Sequence, residues 1–209
     1  MPSDSAQSEL DAGRYWHAVL LLRAEGIGRE PGVPAEILLR AEAEAGWHNW
    51  GAVLELLQGR AWLSDGAFAR GSYLLGRAFE ERERWMDAAE AYARYVEVAG
   101  KGTPMEAVAL ARRARVLEAA GHRREALASV SAMGRATVLG SWAAADLALA
   151  AARDGDTAST RAARLYVSEP QALAATWKAQ ADARLRAGDT LGAETALRGF
   201  ARGVGPHRS

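Results

Sequence analysis

The residues able to do chemistry are numerous here but poorly assembled. The four histidines, His17, His48, His122 and His207, are scattered, with no pair at i, i+4 and no HExxH, so no metal site is expected. Cysteine is absent. That removes disulfides, thiolate metal sites and a cysteine nucleophile. No GxSxG occurs, so a serine hydrolase triad has no support. Gly100-Lys-Gly-Thr-Pro104 resembles the end of a phosphate loop, but the leading Gly is missing at the required distance and no strand precedes it. A helix–helix loop with a Thr103 cap and Pro104 in the first turn is the simpler reading. Gly26-Ile-Gly28 is likewise a loop. The 26 acidic residues offer many arbitrary carboxylate pairs and no motif. Glu80, Glu81 and Glu83 alternate with Arg77, Arg82 and Arg84, the pattern of a solvated ion network on one helix face. No catalytic, cofactor-binding or metal-ligating residue stands out, and no cofactor is expected.

Binding chemistry is the better prospect. Seven tryptophans are present, and Trp16, Trp47, Trp50, Trp62 and Trp85 fall in the first half. Helical spacing assigns most to packing between repeats. An exposed aromatic on an inner face would contact a sugar or a peptide. The polar positions expected to face a groove are Arg40, Arg70, Tyr73, Arg77, Arg112, Arg115 and Lys178. They are mostly basic, which favours a protein or peptide partner with acidic groups. Arg112-Arg113-Arg115 is the densest basic run, yet the 26 basic and 26 acidic residues cancel, so nucleic acid is not an expected partner.

The elements that position these residues follow from a repeat. A Gly, an aromatic or polar residue two on, and a small residue five on recur at Gly13-Arg-Tyr15…Ala18, Gly121…Ala126, Gly155…Thr160 and Gly188…Ala193. Glu83-Arg-Trp85…Ala88 has the same form without the Gly, and Gly46…Gly51 fits with slippage, nearly matched by Trp50…Val53. The markers Ala18, Val53, Ala88, Ala126, Thr160 and Ala193 are spaced by 35, 35, 38, 34 and 33 residues, about the 34 of tetratricopeptide helix–turn–helix units. The longer helix of each pair is expected at Pro34–Ala45, Asp65–Glu83, Pro104–Ala120, Ser141–Asp154 and Pro170–Ala187. The shorter partners are expected at Arg14–Glu25, Trp50–Gln58, Met86–Ala99, Arg123–Met133, Ala158–Val167 and Thr190–Ala201. Pro at a start and Gly past an end fit helix termini.

Alanine occurs 48 times and lysine only at Lys101 and Lys178. The alanine favours helices in close approach. No segment alternates or carries a β-branched run. The expected fold class is all-α: a right-handed α-solenoid of about six antiparallel, tetratricopeptide-like helix pairs without a β-sheet. Residues 1–10 read as a polar N-terminal tail, 11–203 as the array and 204–209 as a flexible C-terminal tail. Neither end has the pattern of a solvated capping helix, so a fragment of a longer solenoid is expected. The first ten residues lack the pattern of a signal peptide. Apolar runs such as Ala18–Leu22 are far short of the roughly 20 residues that span a bilayer.

The stretches Gly13–Ala18 and Glu44–Leu63 carry a narrower resemblance. They look like the superhelical repeat region preceding the catalytic domain in bacterial soluble lytic transglycosylases. The resemblance implies a periplasmic scaffold for a peptidoglycan-cleaving enzyme; otherwise the cytoplasm is expected. That family's catalytic Glu-Ser pair is absent here; only Ser8-Glu9 and Ser168-Glu169 occur, in reverse order. The chain is therefore expected to be a non-catalytic scaffold for protein or peptide binding. The alternative is an accessory region of such an enzyme, with its catalytic domain elsewhere.

Overall fold

The structure is a computed structural model and describes residues 2–27, 32–103, 105–134 and 137–204. Among these, α-helices and short 3-10 turns are the only regular elements. Helices fall in consecutive pairs: α1 (Pro2–Asp11) with α2 (Tyr15–Ala24), α3 (Pro34–Gly46) with α4 (Trp50–Leu57), and α5 (Ala69–Glu80) with α6 (Trp85–Ala99). Then come α7 (Glu106–Ala119) with α8 (Arg123–Met133), α9 (Val138–Arg153) with α10 (Thr157–Arg164), and α11 (Pro170–Arg186) with α12 (Thr190–Val204). The chain divides into two compact units, Met1–Ala109 and Leu110–Ser209.

One backbone device closes all six pairs. Gly13, His48, Glu83, Gly121, Gly155 and Gly188 adopt left-handed φ values of 72°, 65°, 56°, 81°, 77° and 77°. The residue after each donates its N–H to the carbonyl five residues back, as in Arg14 to Glu9, Asn49 to Glu44 and Asp156 to Ala151, at 2.8–2.9 Å. This is the Schellman closure, which satisfies carbonyls that the helix end leaves open. It fixes the repeat register. Counting five from each left-handed residue gives Ala18, Val53, Ala88, Ala126, Thr160 and Ala193, all at most 1% exposed.

The slippage at the second repeat now has a cause. His48, not Gly46, is the left-handed residue. Gly46 lies inside α3, and a Cβ there would collide with the Tyr15 ring. It is a glycine for close approach, not for backbone conformation.

Several boundaries differ from the sequence expectation. The segment read as a polar tail, 1–10, is largely α1. Ala6 is fully buried with Ala18, Val19, Leu22, Ile27 and Ala43, and Leu10 packs against them. A single apolar stripe on a short polar helix is enough to dock it. The array therefore begins before residue 11. The expected helix Asp65–Glu83 begins later, at Ala69, after 3-10 turns at Ala61–Ser64 and Gly66–Phe68. Asp65 caps the second turn by accepting the Ala67 N–H at 2.9 Å.

Thr103 does not cap α7. Its Oγ1 is buried without a hydrogen-bond partner among the described residues, and Glu106 instead reaches back to the Gly102 N–H at 2.5 Å. Thr137 caps α9 through the Gly140 N–H at 3.0 Å, so that helix begins at Val138. Ser141 is internal, and its hydroxyl accepts the N–H groups of Ser168 and Glu169 at 2.9 and 3.1 Å. Helix α12 continues through Val204. The expected C-terminal tail beyond it, with His207, lies outside the described residues, as does Pro104.

Candidate functional site

Helix α5 carries Arg70, Tyr73 and Arg77 at helical spacing, and Tyr73 packs against α6. The Tyr73 ring stands 5.8 Å from that of Tyr92 and 5.7 Å from that of Tyr95. Tyr92 is fully buried, and its hydroxyl donates to Glu80 at 2.6 Å. That bond satisfies a phenol and a carboxylate that are both withdrawn from water. Tyr92 anchors the stack, while Tyr73 and Tyr95 wall a hollow of about 440 Å³ together with Arg70, Ala99, Thr103 and Met105. The size suits a small ligand or a few side chains.

The basic residues expected to line a groove are largely neutralised in the first unit. Arg70 pairs with Glu42 at 2.5 Å. Burial pushes the Glu42 carboxyl up, Arg70 opposes that shift, and Asp11 adds to it. Arg77 lies 3.1 Å from Glu81 and 3.9 Å from Glu80, with its guanidinium 5.0 Å from the centroid of the Trp50 ring. Arg40 donates to the Ile27 carbonyl and sits 3.5 Å from Glu44. Glu44 is fully buried and also accepts from Arg23 at 2.9 Å and Asn49 at 2.8 Å. Arg40 therefore belongs to a packed ionic node, and only Arg70 and Tyr73 of these four line the hollow. Arg112, Arg115 and Lys178 belong to the second unit, on α7 and α11; Arg115 and Lys178 are exposed and Arg112 is half-buried.

Sequence reasoning missed Tyr95 and Met105. The i, i+3 spacing of Tyr92 and Tyr95 carried the signal for the first. It also missed a second hollow, of about 560 Å³, where Arg161 and Arg164 meet Leu165, Ser168, Leu173 and Trp177. Those arginines end a short helix, whereas the expected groove residues all lie on the longer helices.

Other candidates resolve as structure. Trp16 and Trp47 stack at 4.5 Å between ring centroids, both partly exposed. His48 holds the left-handed turn, its ring 6.0 Å from that of Trp50. His122 faces Glu125 at 3.0 Å, and His17 faces Glu9 at 3.4 Å. Among the described residues no group of three or more His, Asp or Glu could hold a metal ion. None of the described helices is long and apolar enough to cross a membrane. The Gly100–Thr103 loop places the Glu106 carboxylate on the Gly102 N–H, a donor that a phosphate would need.

No family model matches the chain, and no curated protein matches it. Among solved structures it is similar to MamA of AMB-1, at 14% identity and a TM-score of 0.52, covering 96% of this chain and 95% of that one. A putative kinesin light chain from Podosopora anserina, with nearly identical TPR-like repeats, gives 17% identity and a TM-score of 0.47, covering 100% and 96%. BtubC (BKLC) from P. vanneervenii gives 17% and 0.44, covering 99% and 92%. At such identities the likeness is one of fold alone, and it rests on the first. Together with the turn geometry and period it defines the class: an all-α, tetratricopeptide-like helical repeat. The narrower resemblance to the transglycosylase superhelix gains no support from these structures.

Proposed function

We propose that the chain is a non-catalytic helical-repeat scaffold that binds a protein or peptide segment through the hollow between α5 and α6. One observation carries this reading: two tyrosines and Met105 wall an open hollow whose neighbouring arginine is already paired. Aromatic side chains give large contact area at low entropic cost, and such walls anchor peptide side chains. Because Glu42 neutralises Arg70, and Glu80 and Glu81 neutralise Arg77, the contact at this hollow is apolar and aromatic rather than acid-binding. A displayed library of short peptides selected on the intact chain tests it. Selected peptides should lose about tenfold in affinity on Tyr73→Ala and on Tyr95→Ala, the cost of one truncated anchor. Peptides that bind both variants as well as the parent would place the contact elsewhere. Failure to enrich any peptide would remove the reading.

A further inference from the structure

The guanidinium of Arg164 sits in an unusual place for an unpaired charge. The residue is only 9% exposed. Its plane lies on the Trp177 ring, Cζ 3.4 Å from the ring centroid. Its Nε donates to Thr176 Oγ1 at 3.0 Å, and one Nη donates to the Thr176 carbonyl at 3.2 Å and to Gln180 Oε1 at 2.8 Å. All of these acceptors are neutral. Among the described residues no carboxylate pairs with it, and its other Nη makes no hydrogen bond. Burial alone pulls its pKa down to about 10.

Buried charges are ordinarily paired, because an uncompensated one loses its hydration. Stacking on Trp177 offsets part of that cost. So does the position of Arg164 in the last turn of α10, where a cation is favoured. The second effect is limited here, since the guanidinium bonds to α11 rather than to its own helix end. What remains is one preoriented Nη on one wall of the 560 Å³ hollow. The exposed Arg161 is a second cation on that wall, and no acidic residue lines it. Leu165, Leu173 and Trp177 supply the rest of the surface.

We propose that this hollow is a carboxylate-binding subsite, taking a peptide carboxylate whose neighbouring side chain is apolar. The free Nη of Arg164 and the guanidinium of Arg161 receive the two carboxylate oxygens, while the leucines and Trp177 take the apolar group. A carboxylate, with two oxygens, can take one charge-assisted bond from each arginine. The proposal is independent of the α5–α6 hollow, which is walled by different residues in the other unit.

The test is an NMR titration of the 15N-labelled full chain with N-acetylphenylalanine as its carboxylate. N-acetylphenylalanine amide and inorganic phosphate are run in parallel, reading the Trp177 indole and Arg164 Nε–H resonances. The carboxylate should shift both and saturate, with the amide at least about tenfold weaker, the usual value of a charge-assisted bond. Arg164→Gln should abolish the response, and Arg161→Gln should weaken it by about threefold. Should Arg164→Gln fail to fold, Arg161→Gln on the exposed rim decides, and unchanged affinity there overturns the proposal. Equal response to acid and amide also overturns it. A response to phosphate without one to the carboxylate would replace it with a simple anion site.

Discussion

The two units join successive helix pairs at the same address with opposite chemistry. The address is the second residue after the left-handed turn. In the first unit it carries Tyr15, whose ring fills the space over Gly46 of the next pair, and Trp50, whose ring lies under Arg77 of the next pair. In the second unit it carries Arg123, which holds Asp154 at 2.6 Å and Asp156 at 3.3 Å in the next pair, and Thr157, which accepts from Arg184 at 2.8 Å. Arg123 also binds Glu118 at 2.5 Å on its own pair. The repeat therefore specifies a position and a volume, not an interaction. Rings exclude water and gain by area, whereas a partly solvated ionic clamp gains little per contact and is screened by salt.

The largest expected effect separates these two joints. Trp50→Ala should cost roughly 2–3 kcal/mol, toward the low end for a large aromatic because Trp50 is only half-buried. Arg123→Ala should cost about 1–2 kcal/mol, because it leaves carboxylates without their shared cation. Urea unfolding in low and high salt checks both. High salt should shrink the Arg123 penalty and leave the Trp50 penalty unchanged. Equal salt dependence of the two would erase the proposed distinction.

Much of this architecture was legible beforehand. Period, turn position and the small residue at the fifth place follow from a short motif, because helix pairs must close tightly and approach closely. The ends of elements were less legible. Whether Thr103 or Thr137 caps a helix depends on loop geometry that no propensity encodes. Likewise Gly46 reads as a stop signal until Tyr15 is seen against it. Groove residues were the hardest to read. Arg40, Arg70 and Arg77 read as a basic surface; Glu44, Glu80 and Glu81 are helical neighbours of the first and last, but the Glu42 that meets Arg70 comes from another helix. Arg164 escaped notice because burial of a charge is not a sequence property.

The backbone turns offer a second contrast. All three turns of the second unit use glycine, whereas the first unit uses His48 and Glu83 in two of its three. A side chain in the left-handed region costs on the order of 1 kcal/mol. His48→Gly and Glu83→Gly should therefore each stabilise the chain by about 0.5–1 kcal/mol, the smaller value reflecting the added freedom of the unfolded glycine. Differential scanning calorimetry would show this as a small rise in Tm. A fall in Tm for His48→Gly would mean that its contact with Trp50 outweighs the strain.

The smallest effect concerns acid. Asp156 accepts the Ser159 N–H at 3.0 Å as the cap of α10, and hydrogen bonding from the Ser159 side chain and backbone, with Arg123, holds its carboxyl below the usual range. Asp189 does the same for Gly192 at 2.8 Å, with Arg184 as its cation. For a carboxylate lowered in the folded state, the stabilisation is present above its unfolded pKa. It is lost as pH falls through the folded value. Both groups sit at turns of the second unit, so that unit should carry an acid-sensitive contribution from its joints. Trp50, at the matching address in the first unit, has no ionisable side chain. Asp156→Asn and Asp189→Asn should lower stability at neutral pH, and the difference from the parent should close as pH falls from about 5 toward 2. Trp50→Ala, followed over the same range, should keep a constant difference. If instead the Trp50 difference narrows in parallel, acid is acting on the whole fold and the contrast between the joints does not extend to pH.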